Sequence, residues 1–193
     1  MAAADNILQA GEPTTSTGSP GAGTHESGAT GSASTGNGST GGAATGGAAT
    51  PQIQPARFDS LAFFEALASS ARAHPDQYRR LGMTEITLGV KVGTNAYRLV
   101  FEDYECTEVT PYDPSDGVDC VLEASRDAWL ELIEHLVERG RADSAHTLNS
   151  LVLAGERFHL TGEDQLGVDK FYRYNATLQS FFEETANVPL LLG

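Results

Sequence analysis

Bulky and charged side chains are nearly missing from the first 55 residues, which consist almost wholly of Gly, Ala, Ser, Thr and Pro. A segment of that composition buries too little apolar surface to offset the entropy of ordering it, so residues 1–55 are expected to be a disordered leader. Basic residues are scarce as well: the chain has 12 Lys and Arg against 26 Asp and Glu, a net charge of −14. The leader holds only Asp5, Glu12 and Glu26, which leaves 23 acidic against 12 basic residues, a net −11, for residues 56–193. Nucleic acid and anionic membrane surfaces both select basic patches, so neither is an expected partner. Cys106 and Cys120 are the only cysteines and show no paired spacing. This excludes a disulfide framework and a zinc ribbon, and it fits a reducing cytoplasm. The N-terminus lacks the basic and apolar regions of a secretory signal, and no apolar window reaches the length of a membrane span. A cytoplasmic protein that is not integral to the membrane is expected.

Within the leader, Gly41-Gly42-Ala43-Ala44-Thr45-Gly46 and similar runs read as a flexible tether. No Gly-Lys-Ser/Thr follows a strand, so the glycines do not form a phosphate cradle. Ile7 and Leu8 are the one adjacent pair of bulky apolar residues there. An apolar island on a tether is the pattern of a docking peptide, which makes Ile7 and Leu8 candidate contacts for a protein partner.

From Phe58 onward the chain becomes periodic. Phe58, Leu61, Phe64, Leu67, Ala68 and Ala71 recur at helical spacing behind Asp59 or Ser60 as cap. His74-Pro75 ends this helix or begins a short second turn. Ile86, Leu88, Val90 and Val92 then alternate with Glu85, Thr87, Gly89 and Lys91, and Tyr97, Leu99 and Phe101 continue the alternation after Gly93-Thr94-Asn95, which predicts an antiparallel hairpin. A third strand is expected over 105–110, a loop over 111–117, and a fourth strand through Val118, Cys120 and Leu122. Ser125 caps a helix carrying Trp129, Leu132, Ile133, Leu136 and Val137, closed by Gly140. Further expectations are a helix over 144–153, a short strand over 157–161, and a closing helix with Val168, Phe171, Tyr174, Leu178 and Phe181 on one face.

Two local patterns resemble those of the sterol-carrier-protein-2-like family. The first is Val118-Asp119-Cys120-Val121-Leu122-Glu123-Ala124-Ser125-Arg126-Asp127-Ala128-Trp129-Leu130, a strand with an Asp near its start running into a capped helix. The second is Gly155-Glu156-Arg157-Phe158-His159-Leu160-Thr161-Gly162, a Gly-bracketed last strand before a terminal helix. The resemblance implies an α/β (α+β) domain over 56–193: a five-stranded, mostly antiparallel sheet covered by helices on one face. It also implies noncatalytic binding or transfer of a lipophilic ligand, such as a fatty acid, acyl-CoA, sterol or isoprenoid quinone. Candidate ligand contacts are Trp129, Ile133, Leu136, Phe158, Leu160, Phe171, Tyr174, Leu178 and Phe181. The aromatic stripe from Phe171 to Phe181 reads equally as core packing, and if it fills the interior, an accessory or scaffold subunit recruited through the leader is the alternative.

Catalysis needs convergent titratable groups, and the sequence shows no nucleophile elbow, no His-Glu-x-x-His and no dinucleotide fingerprint. His74, His135, His146 and His159 are dispersed along the chain. Asp113, Asp116 and Asp119 lack the ligand alternation and distal Glu of a calcium loop and read as turn residues. No enzyme activity, cofactor or metal is therefore expected. Cys106 and Cys120, in expected strands, read as small core hydrophobes.

Overall fold

The computed structural model describes residues 55–192; residues 1–54 of the expected leader, with Ile7 and Leu8, lie outside the described residues. After a two-residue strand β1 (Ala56–Arg57), helix α1 spans Leu61–Ala73. Ser60 is its cap, the hydroxyl accepting from the Phe63 N–H at 3.3 Å. The other candidate cap, Asp59, turns inward to Arg57 and Arg126 instead. Phe63, Phe64, Leu67, Ala68 and Ala71 form the buried face of α1. Proline, whose missing N–H costs nothing at a first helical position, opens α2 (Pro75–Leu81).

Strands β2 (Thr84–Val92) and β3 (Asn95–Asp103) form the expected hairpin, and β4 (Glu105–Pro111) adds antiparallel to β3. A tight turn joins the hairpin strands, with Gly93 at φ 60° where an L side chain is disfavoured. The next strand, β5 (Cys120–Ala124), crosses beyond the hairpin to pair in parallel with β2, and β6 (Phe158–Gly162) lies antiparallel to β5. The sheet order is β4-β3-β2-β5-β6. Thr84, Ile86, Leu88, Val90 and Val92 bury one face of the central strand, while Glu85, Thr87 and Lys91 on the other stay accessible, so the helices cover one side.

Helix α3 (Arg126–Arg139) runs from its Ser125 cap to Gly140, which takes the left-handed conformation at φ 75°. Two expected helices differ from those observed. In place of a helix from residue 144, α4 covers Leu148–Ala154. Asp143 diverts the preceding backbone into a turn, its Oδ1 accepting from the N–H groups of Ala145 and His146, and Thr147 caps the helix only afterwards. The single closing helix is two, α5 (Gln165–Arg173) and α6 (Asn175–Glu183), because Tyr174 leaves helical geometry at φ −99°, ψ 13°. A 3₁₀ turn (Glu184–Asn187) leads to β7 (Leu190–Leu191), which pairs in parallel with β1. Neither two-residue strand is expected from the sequence, since two residues carry no period.

Asp119, in the first of the two sequence patterns, ties the layers together. One carboxylate oxygen accepts from the Thr87 N–H of β2 at 2.8 Å and the other from Lys170 of α5 at 2.8 Å. Asp113 and Asp116 instead close the turn between β4 and β5 on themselves.

Candidate functional site

The interior between the sheet and α1, α3, α5 and α6 is one continuous apolar layer. Trp129 stands in it because α3 starts right after β5; its indole N–H donates to the Lys91 carbonyl of β2 at 2.7 Å, satisfying the one polar atom of the ring. Phe158 of β6 meets Trp129 edge-on at 5.0 Å between centroids, and Phe182 of α6 packs on it tilted at 5.2 Å. Phe181 packs edge-to-face on Phe101 of β3 at 5.1 Å.

All nine candidate ligand contacts belong to this layer or its edge. Trp129, Ile133, Leu136, Phe158, Phe171, Leu178 and Phe181 are buried, whereas Leu160 and Tyr174 pack against them half-buried. Their side chains fill the layer rather than line an open channel. A surface depression of about 360 Å³ is bordered by Met83, Glu85, Glu102, Asp103 and Tyr174, the only one of the nine to reach it. Phe182 and Phe64 belong to the same aromatic contacts and are missing from the sequence candidates. Phe182 follows Phe181 directly, and α6 buries both, as α1 buries the adjacent Phe63 and Phe64.

Polar chemistry sits at the rim. Glu184 is 2% exposed, yet among the described residues no Arg or Lys pairs with it. Its carboxylate accepts from Ser70 at 2.6 Å, Tyr78 at 3.3 Å and Asn187 at 2.8 Å, and His74 Nδ1 lies 3.2 Å away. Burial, followed by the charge of Glu184, raises the Tyr78 phenol well above its ordinary range. The two thiols behave as core: burial pushes both Cys106 and Cys120 up to about 12.

Two of the four histidines meet in space. His135 of α3 and His146, eleven residues later, stack at 3.8 Å between ring centroids and 12° between planes. Gly140 makes this possible by reversing the chain, so that the 141–147 loop returns along α3. Asp143 lies beside the ring edges of both. Its Oδ1 is 2.7 Å from His146 Nδ1, and its Oδ2 is 3.8 Å from His135 Nε2. The hydrogen bond from His146 holds the Asp143 carboxyl below the usual carboxylate range. The sequence signal is weak because the spacing of these three residues matches no common motif.

No protein-family model matches the chain, and no curated protein matches it in sequence. Solved structures do. A crystal structure of sterol carrier protein 2 superposes with a TM-score of 0.52 and 18% identity, over 68% of this chain and 99% of its own. The solution structure of a conserved hypothetical protein from Thermus thermophilus, described as possibly a sterol carrier protein, gives 0.48 with 16% identity, over 66% and 88%. Sterol carrier protein 2 from Yarrowia lipolytica in its apo form gives 0.38 with 13% identity, over 69% and 96%. The described domain has a sterol-carrier-protein-2-like fold. Among the described residues no helix is long and apolar enough to cross a membrane.

Proposed function

We propose that the domain binds a lipophilic molecule, without converting it, in the apolar layer between the sheet and the helices. One observation carries this reading: within a sterol-carrier-protein-2-like fold, the nine candidate residues share a single uninterrupted apolar layer. Such a layer accepts an aliphatic chain if α5 and α6 swing out. Burying on the order of 300 Å² of ligand surface gains about 7 kcal/mol. Separating aromatic pairs such as Phe101–Phe181 and Trp129–Phe182 forfeits about 0.5–1.5 kcal/mol each beyond area burial, and the ligand must also cover the apolar surface those rings give up. Fatty acids, acyl-CoA, sterols and isoprenoid quinones all offer the required apolar surface.

Native mass spectrometry of the protein purified from its own host, together with fluorescent fatty-acid titration, tests the reading. Wild type should carry or acquire one apolar ligand, and Phe181→Ala, which vacates space in the layer, should bind the probe at least as well. Absence of binding by both proteins, each still folded, would overturn it.

The aromatic filling of the layer favours a second reading, an accessory or scaffold subunit recruited through residues 1–55, with Ile7 and Leu8 as the docking contacts and the cytoplasm as its compartment. Deleting residues 1–50 separates the two. Loss of co-purifying partners in a protein that binds no lipid selects the scaffold; retained lipid binding with no partner lost selects the carrier.

A further inference from the structure

We propose that His135, Asp143 and His146 form a binding site for a divalent zinc ion, in the loop between α3 and α4 and separate from the apolar layer. The three residues each offer a ligand atom, and these atoms lie within 4.8 Å of one another. Two imidazoles and a carboxylate are the ligand types that zinc takes at about 2.0–2.2 Å, with a fourth position left open. Hard cations such as calcium and magnesium prefer six or more oxygens and are poorly served here.

An independent observation points the same way. The Nε2 atom of His135 is buried without any hydrogen-bond partner, and its side chain is only 13% exposed. A buried polar atom left unpaired costs about 1–3 kcal/mol, so it is rarely retained without a use. It lies 3.8 Å from Asp143 Oδ2, too far to hydrogen-bond. Two ligands of one tetrahedral ion stand about 3.3–3.5 Å apart, so an ion between these atoms would satisfy both after a small closure.

The loop is built to hold this geometry. Glu183 of α6 accepts from the Ala142 N–H at 3.0 Å and from Gln179, whose own carbonyl oxygen accepts from the Leu148 N–H at 2.8 Å, so α6 anchors both ends of the loop. Asp143 Oδ1 is fixed by the Ala145 and His146 N–H groups, leaving Oδ2 free to bind. Such outer contacts are what orient metal ligands. Two features oppose the ion. The lone pairs of the stacked rings lie in nearly parallel planes, so the more exposed His146 ring must turn about χ2 to share an ion with His135. Arg139 and Arg141 also line the same depression, about 490 Å³, and their charge favours an anion as the fourth ligand.

The test uses the full chain. Titration calorimetry with zinc chloride should give one equivalent bound, and cobalt(II) substitution should give the visible absorption of a four-coordinate N/O site. Affinity should fall at least ~10-fold in His135→Gln, His146→Gln and Asp143→Asn, as expected when one of three ligands is lost. His159→Gln, away from the loop, should leave it unchanged, and excess calcium should not compete. Asp143→Asn changes an exposed side chain and His146→Gln a half-buried one, so they keep the test valid if His135→Gln fails to fold. No stoichiometric binding, or equal affinity in wild type and these two variants, would overturn the proposal and leave the stack a purely structural clasp.

Discussion

Gly167 lies in the first turn of α5, buried against the backbone where the chain enters β5. Two opposed effects give Gly167→Ala a decisive sign. Helix propensity alone predicts stabilisation of about 1 kcal/mol, since alanine loses less backbone entropy. Packing predicts the reverse, because an added Cβ would fall 2.7 Å from the Asp119 carbonyl carbon and closer still to its oxygen, well inside contact distance. The obstacle is backbone and cannot rotate away, so α5 would have to retreat. Retreat would stretch the Lys170–Asp119 ion pair and lift Phe171 out of the core. Overpacking costs typically 1–3 kcal/mol, occasionally more; taking the upper end and subtracting the propensity gain leaves a net loss of about 2 kcal/mol. For a domain of this size that lowers Tm by about 6–10 °C. Urea unfolding followed through Trp129, the chain's single tryptophan, should show a lower midpoint with an unchanged slope. Gly117→Ala, where an added Cβ meets nothing within 4 Å, should stay within about 0.5 kcal/mol of wild type. A midpoint for Gly167→Ala equal to or above that of wild type would refute the close approach of α5 to Asp119.

The thiols of Cys106 and Cys120, pushed up to about 12 by burial, should resist an aromatic disulfide reagent at pH 8 until urea unfolds the chain; prompt native reaction would contradict their burial. Burial works to raise the pKa of Asp59, but hydrogen bonds and charge from Arg126 and Arg57 outweigh it and hold the carboxyl below its ordinary 3.8. Its contribution is therefore present above that value and lost as pH falls through the lower folded pKa, so the stability gap between wild type and Asp59→Asn should narrow below about pH 4. Glu184→Gln replaces an acceptor shared by Ser70, Tyr78 and Asn187 with a group that is half donor, and should destabilise by about 1–3 kcal/mol in thermal unfolding; an unchanged Tm would mean the buried carboxylate does not hold α1, α2 and the 3₁₀ turn together.

Elements with a strong local signal were legible in the sequence. The Thr84–Val92 and Asn95–Asp103 hairpin follows from strict alternation about a Gly-containing turn, and α3 from Ser125, its apolar stripe and Gly140. What escaped depends on neighbours distant in sequence or on side chains competing for the backbone. The late start of α4 follows from the Asp143 carboxylate capturing two N–H groups, and the β1–β7 pair joins residues more than 130 positions apart. The apolar candidates were readable because burial leaves a period; whether such residues pack on each other or around a ligand leaves none. The His135–Asp143–His146 group was invisible for a different reason. Its spacing becomes a cluster only once Gly140 has folded the loop back along the helix.

The β1–β7 pairing also determines how the domain meets mechanical load. The two strands run in the same direction, with Ala56 beside Leu190 and Arg57 beside Leu191. A pull on the chain before residue 56, directed against the chain after residue 191, therefore acts along the strands rather than across them. The bonds from the Ala56 N–H to Pro189 and from the Phe58 N–H to Leu191 are then strained together instead of opening one after the other. Tension transmitted through the first 55 residues would meet a joint loaded in shear before it reached the apolar layer.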